Sequence, residues 1–175
     1  MRVLVTGAAG YIGGTFTYEV LKKGFEVHGI DNFINSDRSN IDTFLRDFPA
    51  VFGFSEIDLA NEVSELKTVL DEFNPDFIIH FAGLKSVGES EEKPDLYMEN
   101  NVSSTRNLLE NMNPQSFFIF SSSATVYGNN PNQPLTEASS IEATSVYGQS
   151  KIECENLIKD YAVNKGVKSI CLRYF

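Results

Sequence analysis

Short apolar runs alternate with longer amphipathic stretches from one end of the chain to the other. Arg2-Val3-Leu4-Val5, Phe25 to Ile30, Val51 to Ile57, Asp76 to Phe81, Phe117 to Phe120 and Ser169 to Leu172 read as strands, several apolar enough to be buried on both faces. Helical spacing of apolar positions fills the intervals: up to about Lys23, then about Ile41 to Phe48, Val63 to Phe73, Leu96 to Met112 and Val146 to Asn164. The polar loop Asn35 to Asn40 precedes the second helix, and a loop through Pro94 leads into the fourth. Strands in regular alternation with helices predict an α/β fold with a parallel sheet covered on both faces. In such sheets ligands bind outside the carboxyl ends of the strands.

The first strand runs straight into Thr6-Gly7-Ala8-Ala9-Gly10-Tyr11-Ile12-Gly13 and a helix. Strand, glycine turn and helix together form the context of a dinucleotide fingerprint, here spaced Gly-x-x-Gly-x-x-Gly. Small residues let the backbone approach a pyrophosphate whose charge meets the free N–H groups of the helix. The second strand ends at Asp31, the position expected for an acid that binds the adenosine ribose hydroxyls. A carboxylate there disfavours a 2′-phosphate, so the pattern points to NAD over NADP. The fold is thus expected to be a Rossmann-type doubly wound sheet.

A second chemical pattern lies at Tyr147-Gly148-Gln149-Ser150-Lys151. Helical spacing of four places phenol and ammonium on one face. A phenol has a pKa of roughly 10, and bringing it near 7 takes on the order of 4 kcal/mol of preferential stabilisation of the phenolate. A close lysine and a cationic cofactor in a dry site are expected to supply it. Alone, Tyr and Lys at this spacing are more often a packed ring beside a solvated charge. The glycine turn, Asp31, Asp58, the Ala82-Gly83 turn and Ser123 all fall at strand carboxyl ends, and that convergence favours chemistry.

The 175 residues suit one domain able to bury about 70% of its unfolded surface. The net charge of −10 argues against a nucleic-acid partner, which needs clustered Lys and Arg. No run is long and apolar enough for a membrane span, and the amino terminus does not read as a signal peptide. Cys154 and Cys171 lack metal-ligand spacing and suggest reduced thiols in cytoplasm. His28 and His80 lie in apolar strands and read as structural.

Taken together, these segments resemble the extended short-chain dehydrogenase/reductase family, and within it the 4-epimerases of UDP-sugars. Besides the glycine loop and the Tyr/Lys pair, the resemblance is carried by Asp31-Asn32, His80 to Lys85, Val87-Gly88-Glu89-Ser90, Asn100-Asn101-Val102, Phe120 to Gly128 and Leu172-Arg173-Tyr174-Phe175. It covers nearly the whole chain. One departure is Gly14-Thr15-Phe16, where the family usually has Ser-His.

The resemblance implies bound NAD and reversible oxidation of a sugar hydroxyl, with UDP-glucose and UDP-galactose as substrates. It implies Tyr147 as base, Lys151 as its support and Ser123 as the residue orienting the reacting hydroxyl. Gly7, Gly10 and Gly13 would hold the pyrophosphate, with Tyr11 and Ile12 also against the cofactor. Asp31 would hold the adenosine ribose and Asp58 the adenine edge, with Asn32, Asn35, Ser36 and Leu59 also against the cofactor. Phe81, Ala82, Gly83, Lys85, Asn100, Ser121, Ser122 and Tyr174 would line the rest of the cofactor, and Lys85, Ser123, Ala124, Thr125 and Tyr147 the sugar. The 4,6-dehydratases of this fold place an Asp and a Glu after the strand-end Ser or Thr. Here Ala124 and Thr125 stand there, which disfavours dehydration. A homodimer through the helices near 96–112 and 146–164 is also implied. The family continues about as far again beyond Phe175, so residues 1–175 are expected to be a NAD-binding domain without the carboxyl-terminal substrate domain, with turnover weak or lost. The alternatives are a nucleotide-binding domain without catalysis, an epimerase acting on pentose or N-acetylated sugars, or another extended short-chain dehydrogenase acting on a nucleotide sugar.

Overall fold

Six strands pair in parallel in the order β3-β2-β1-β4-β5-β6 in a computed structural model that describes all 175 residues. They are β1 (Arg2–Thr6), β2 (Glu26–Asp31), β3 (Phe52–Glu56), β4 (Phe77–His80), β5 (Phe117–Ser123) and β6 (Lys168–Tyr174). The helices are α1 (Tyr11–Lys22), α2 (Ser39–Asp47), α3 (Val63–Phe73), α4 (Val87–Glu92), α5 (Pro94–Asn111) and α6 (Val146–Lys165). The order reverses between β1 and β4, so the loops leaving these two strands diverge and open a crevice.

Successive strand residues face opposite sides, which divides the apolar residues into two cores. On one side Leu4, Ile30, Ile78 and Phe118 pack with Leu66 of α3, Leu108 of α5 and Ile158 of α6. On the other, Val3, Val5, Val27 and Ile79 pack with Leu21 of α1 and Ile41 and Phe44 of α2. Each such side chain, fully buried, contributes roughly 2 kcal/mol. The expected fold class is the observed one, with differences at the element ends. The serines expected to follow β5 lie within it, because Ser121, Ser122 and Ser123 continue the register onto Leu172, Arg173 and Tyr174 of β6. The loop expected up to Pro94 contains α4, and α5 begins at Pro94, whose missing N–H costs nothing in the first helical turn.

His80, 1% exposed, locks the crevice floor. The Ala82 N–H donates to Thr6 Oγ1 (3.2 Å), which lies 2.7 Å from His80 Nδ1. On the other side, Nε2 lies 3.1 Å from Thr105 Oγ1, which donates to the Asn101 carbonyl (2.9 Å). Because Thr105 spends its proton on α5, the ring donates from Nε2 and accepts at Nδ1. Burial, and secondarily the Lys151 charge, lower its pKa from 6.5 to about 3. The unfolded chain therefore takes up a proton below pH 6.5 that the folded chain refuses until about 3. Stability present above pH 6.5 is expected to fall across that window by about 1.4 kcal/mol per pH unit from this group. Urea unfolding at several pH values checks this, and His80→Gln should flatten the slope.

Candidate functional site

Above the β1 end, Gly7 takes φ +70°, and a Cβ on it would lie 2.8 Å from the Ala82 backbone nitrogen. At Gly13 an added Cβ would lie 2.1 Å from the Gly7 carbonyl oxygen. The loop thus folds against its own helix only with glycine at both positions. No side chain caps α1, and the amides of Tyr11, Ile12 and Gly13 have no acceptor within the protein. Free N–H groups at the positive end of a helix dipole suit a phosphate. They open on a cleft of about 310 Å³ whose only lining cations are Lys85 and Lys151. An anionic dinucleotide fits such a cradle.

Asp31 joins the glycine loop to the rim. Its Oδ2 accepts from the Ala9 N–H (3.0 Å), and its Oδ1 from the Phe33 N–H and Ser36 Oγ (both 2.9 Å). A carboxylate offers about four acceptor positions, so capacity remains for a ligand hydroxyl. Phe33 adopts φ +57°, uncommon for a bulky residue, and its ring packs 5.4 Å from Phe54. That turn brings Asn32, Asn35 and Ser36 to the cleft. Asp58 and Leu59 line the same end, with Asp58 accepting from the Ala60 N–H and Asn61 Nδ2 (both 3.0 Å). Phe81, Ala82, Gly83, Lys85, Asn100 and Ser121 form the opposite wall.

At the inner end, Tyr147 and Lys151 share one face of α6 and both line the cleft. The Lys151 ammonium lies 5.8 Å from the Tyr147 ring centre and 4.7 Å from that of Phe120, and donates to the Ser121 carbonyl (2.9 Å). It is 5% exposed, and burial lowers its pKa. Burial also raises the Tyr147 pKa, opposed by a hydrogen bond with Ser123. Desolvation thus works against the lowering expected from the lysine together with a cationic cofactor. Ser123 Oγ accepts from Thr125 N–H (3.2 Å) and Thr125 Oγ1 (3.0 Å), leaving its own proton free for the phenol oxygen.

Some expected site residues lie elsewhere. Ser122 faces the other side of β5 and donates to Glu155 Oε1 (2.5 Å), since strand side chains alternate. That carboxylate also receives Arg173 Nε (3.0 Å) and Nη2 (2.6 Å). Tyr174 is opposite Ser123 on the edge strand, half-exposed and outside the cleft. Ser123, Ala124 and Thr125 lie beyond the cleft lining, and Thr125 borders a neighbouring hollow with Val87 and Thr144. The sequence reading missed Ile30, Ile34, Ile57, Leu84 and Ser104 among the lining residues. Ser104 was within reach of pattern reasoning, lying one helical turn from Asn100. It also missed Asn101, whose amide bridges the Leu84 backbone and Ser150 Oγ.

Comparisons with known proteins agree with this geometry. The UDP-glucose 4-epimerase of Erwinia amylovora is 43% identical, with 100% of this chain covering 53% of that protein. That of Schizosaccharomyces pombe is 42% identical over 99% of this chain and 50% of its own length. Among solved structures, the UDP-glucose 4-epimerase of Stenotrophomonas maltophila with bound NAD and formylated UDP-arabinopyranose superposes with a TM-score of 0.91. It is 37% identical, covering 100% of this chain and 53% of that one. The Bifidobacterium longum enzyme in complex with NAD⁺ and UDP gives the same score, identity and coverage. The chain spans about half the length of the relatives it matches. The model of the NAD dependent epimerase/dehydratase family matches residues 3–175, and the chain belongs to that family.

Proposed function

We propose that residues 1–175 are the NAD-binding half of a UDP-sugar 4-epimerase that interconverts UDP-glucose and UDP-galactose. The observation that carries this is the meeting, in one cleft, of an anion cradle, a ribose-facing acid and a phenol beside a buried ammonium. NAD, when bound, supplies a reversible two-electron acceptor for the sugar carbon. The amides of Tyr11, Ile12 and Gly13 hold its pyrophosphate, Asp31 its adenosine ribose and Asp58 its adenine. Lys85 and Asn100 flank the reacting end.

Tyr147 takes the proton of the sugar 4-hydroxyl and returns it, while Ser123 orients that hydroxyl and shares the proton. Burial by itself disfavours the phenolate. Positive charge brought in beside Lys151 favours the phenolate, so the base is expected to form only in the loaded protein. Ala124 and Thr125 offer no carboxyl group for an elimination, which favours epimerisation over dehydration. The free thiols of Cys154 and Cys171 agree with a cytoplasmic setting, and no helix is long and apolar enough to cross a membrane. We further propose a homodimer through α5 and α6.

The test is NAD affinity and UDP-galactose turnover of residues 1–175 beside a full-length relative. NAD binding with slow or absent turnover is expected. Failure to bind NAD overturns the reading, and near-equal turnover overturns the division of labour with the remaining half of the relatives' length.

A further inference from the structure

We propose that Ser90 and Glu91 of the short helix α4 are positioning residues for Tyr147, because they cap the start of α6 from another element. The inference rests on the proton-transfer role of Tyr147 proposed above. A helix begins with backbone N–H groups that lack partners in the helix, and its own N-cap residue ordinarily satisfies only one or two of them. In α6 the Ser145 side chain accepts from the Gly148 N–H (3.0 Å), as a local cap does. The two preceding donors are taken by α4: Tyr147 N–H donates to Ser90 Oγ (3.1 Å), and Val146 N–H to Glu91 Oε1 (2.9 Å). The backbone of the proposed base is thus bonded directly to a residue 57 positions earlier in the chain.

α4 is itself fixed. Ser90 is fully buried and donates to the Val87 carbonyl (2.6 Å). The Tyr97 phenol, also fully buried, accepts from the Ser86 N–H (3.0 Å) and donates to Glu89 Oε2 (2.9 Å). Upstream, Asn101 Nδ2 donates both to the Leu84 carbonyl (3.0 Å) and to Ser150 Oγ (3.1 Å). Residues 84–91 are therefore stitched to α6 at Ser150, Tyr147 and Val146. Lys85 on one wall of the cleft and Tyr147 at its inner end are held in a fixed relation. Neither Ser90 nor Glu91 lines the cleft, so both act on the phenol and not on the nucleotide. Besides Glu91, the groups facing Tyr147 are Ser123 on β5 and Lys151 on α6.

The test uses the whole chain, with Ser90→Ala and Glu91→Ala as disrupting changes and Glu91→Gln, which keeps the acceptor, as the rescue. Three properties are read: amide hydrogen exchange at Val146 and Tyr147, NAD affinity, and the Tyr147 tyrosinate absorbance titration, isolated by subtracting Tyr147→Phe. In either alanine variant, exchange at the released amide is expected to rise about fivefold, the effect of one ordinary hydrogen bond. The phenol titration is expected to move down toward the ordinary value of roughly 10 as the helix start loosens and admits water. NAD affinity should stay within about twofold of the parent, since a lost hydrogen bond outside the cleft touches no ligand contact. Glu91→Gln should match the parent in all three. A phenol titration unmoved by either alanine change overturns the proposal, as does a glutamine variant that behaves like alanine. Unchanged NAD affinity together with undiminished turnover in Tyr147→Phe of the protein that carries this chain would instead refute the role of Tyr147, and is separable from both.

Discussion

Gly13→Ala is expected to abolish nucleotide binding and to destabilise the chain by about 3 kcal/mol or more, at the upper end of what overpacking costs. The added Cβ would stand 2.1 Å from the Gly7 carbonyl oxygen and 2.8 Å from its carbon. Those atoms belong to backbone that cannot swing aside as a flexible side chain would. Gly7 is itself held by its N–H donating to the Ile30 carbonyl (2.8 Å) and by contact with the Ala82 backbone. The loop must therefore leave β2 and β4 or α1 must shift along its axis, and either movement dismantles the cradle. A domain of this size has about 5–15 kcal/mol of stability in all, so the loss is large but a folded fraction should survive. Gly10→Ala is the matched control for stability alone: its Cβ would meet only the Gly7 oxygen, at 3.4 Å, an ordinary contact. Denaturant midpoints with NAD titration separate the two, and a Gly13→Ala chain that binds NAD normally would refute the cradle.

Tyr147→Phe is expected to lower turnover by about 10²- to 10⁴-fold, the range for loss of a positioned acid or base. NAD affinity should change little, because the ring and its packing remain. The pH dependence follows from the sign of the phenol's perturbation. Burial raises the Tyr147 pKa, so turnover that depends on the base form should climb with rising pH. A ligand that adds positive charge to the cleft moves that limb toward neutrality, and Lys151→Met should move it back up. Ser123→Ala should cost less than Tyr147→Phe, as it removes one hydrogen bond to the phenol and not the proton carrier. Steady-state rates of the protein that carries this chain, measured over a pH series, test all three. Comparable turnover in the phenylalanine variant would defeat the assignment.

Much of this was legible in the residues themselves. Val3, Leu4 and Val5 are apolar without alternation because both faces of a central parallel strand are covered, and that signal survives without neighbours. The glycine loop and Asp31 were equally visible, since backbone approach and strand-end position leave marks in spacing. Features that depend on distant partners were not. Ser121 to Ser123 read as the end of a strand because their polarity breaks the apolar run, yet β6, some fifty residues on, supplies the pairing that extends it. Ser122 was grouped with its neighbours because pattern alone does not say which face of a strand meets the ligand. Charge proximity to the phenol can be read from helical spacing, whereas the desolvation that opposes it is known only from the packed structure. Ser90 stood out only as part of the Val87 to Ser90 segment, and neither it nor Glu91 signalled a capping role, their partners being amides of a helix more than fifty residues away.

The hydrogen-bonded line from Ala82 through Thr6, His80 and Thr105 to Asn101 has a consequence for how a guest gets in. It ties the tips of β1 and β4 to α5 through side chains with almost no solvent access. Prying those tips apart would strand several polar groups in the dry interior at once, so the floor cannot act as a door. Admission falls to the rim, where Ile34 is 61% exposed and Tyr11 85% exposed, so the apolar groups a guest meets first are already in contact with water.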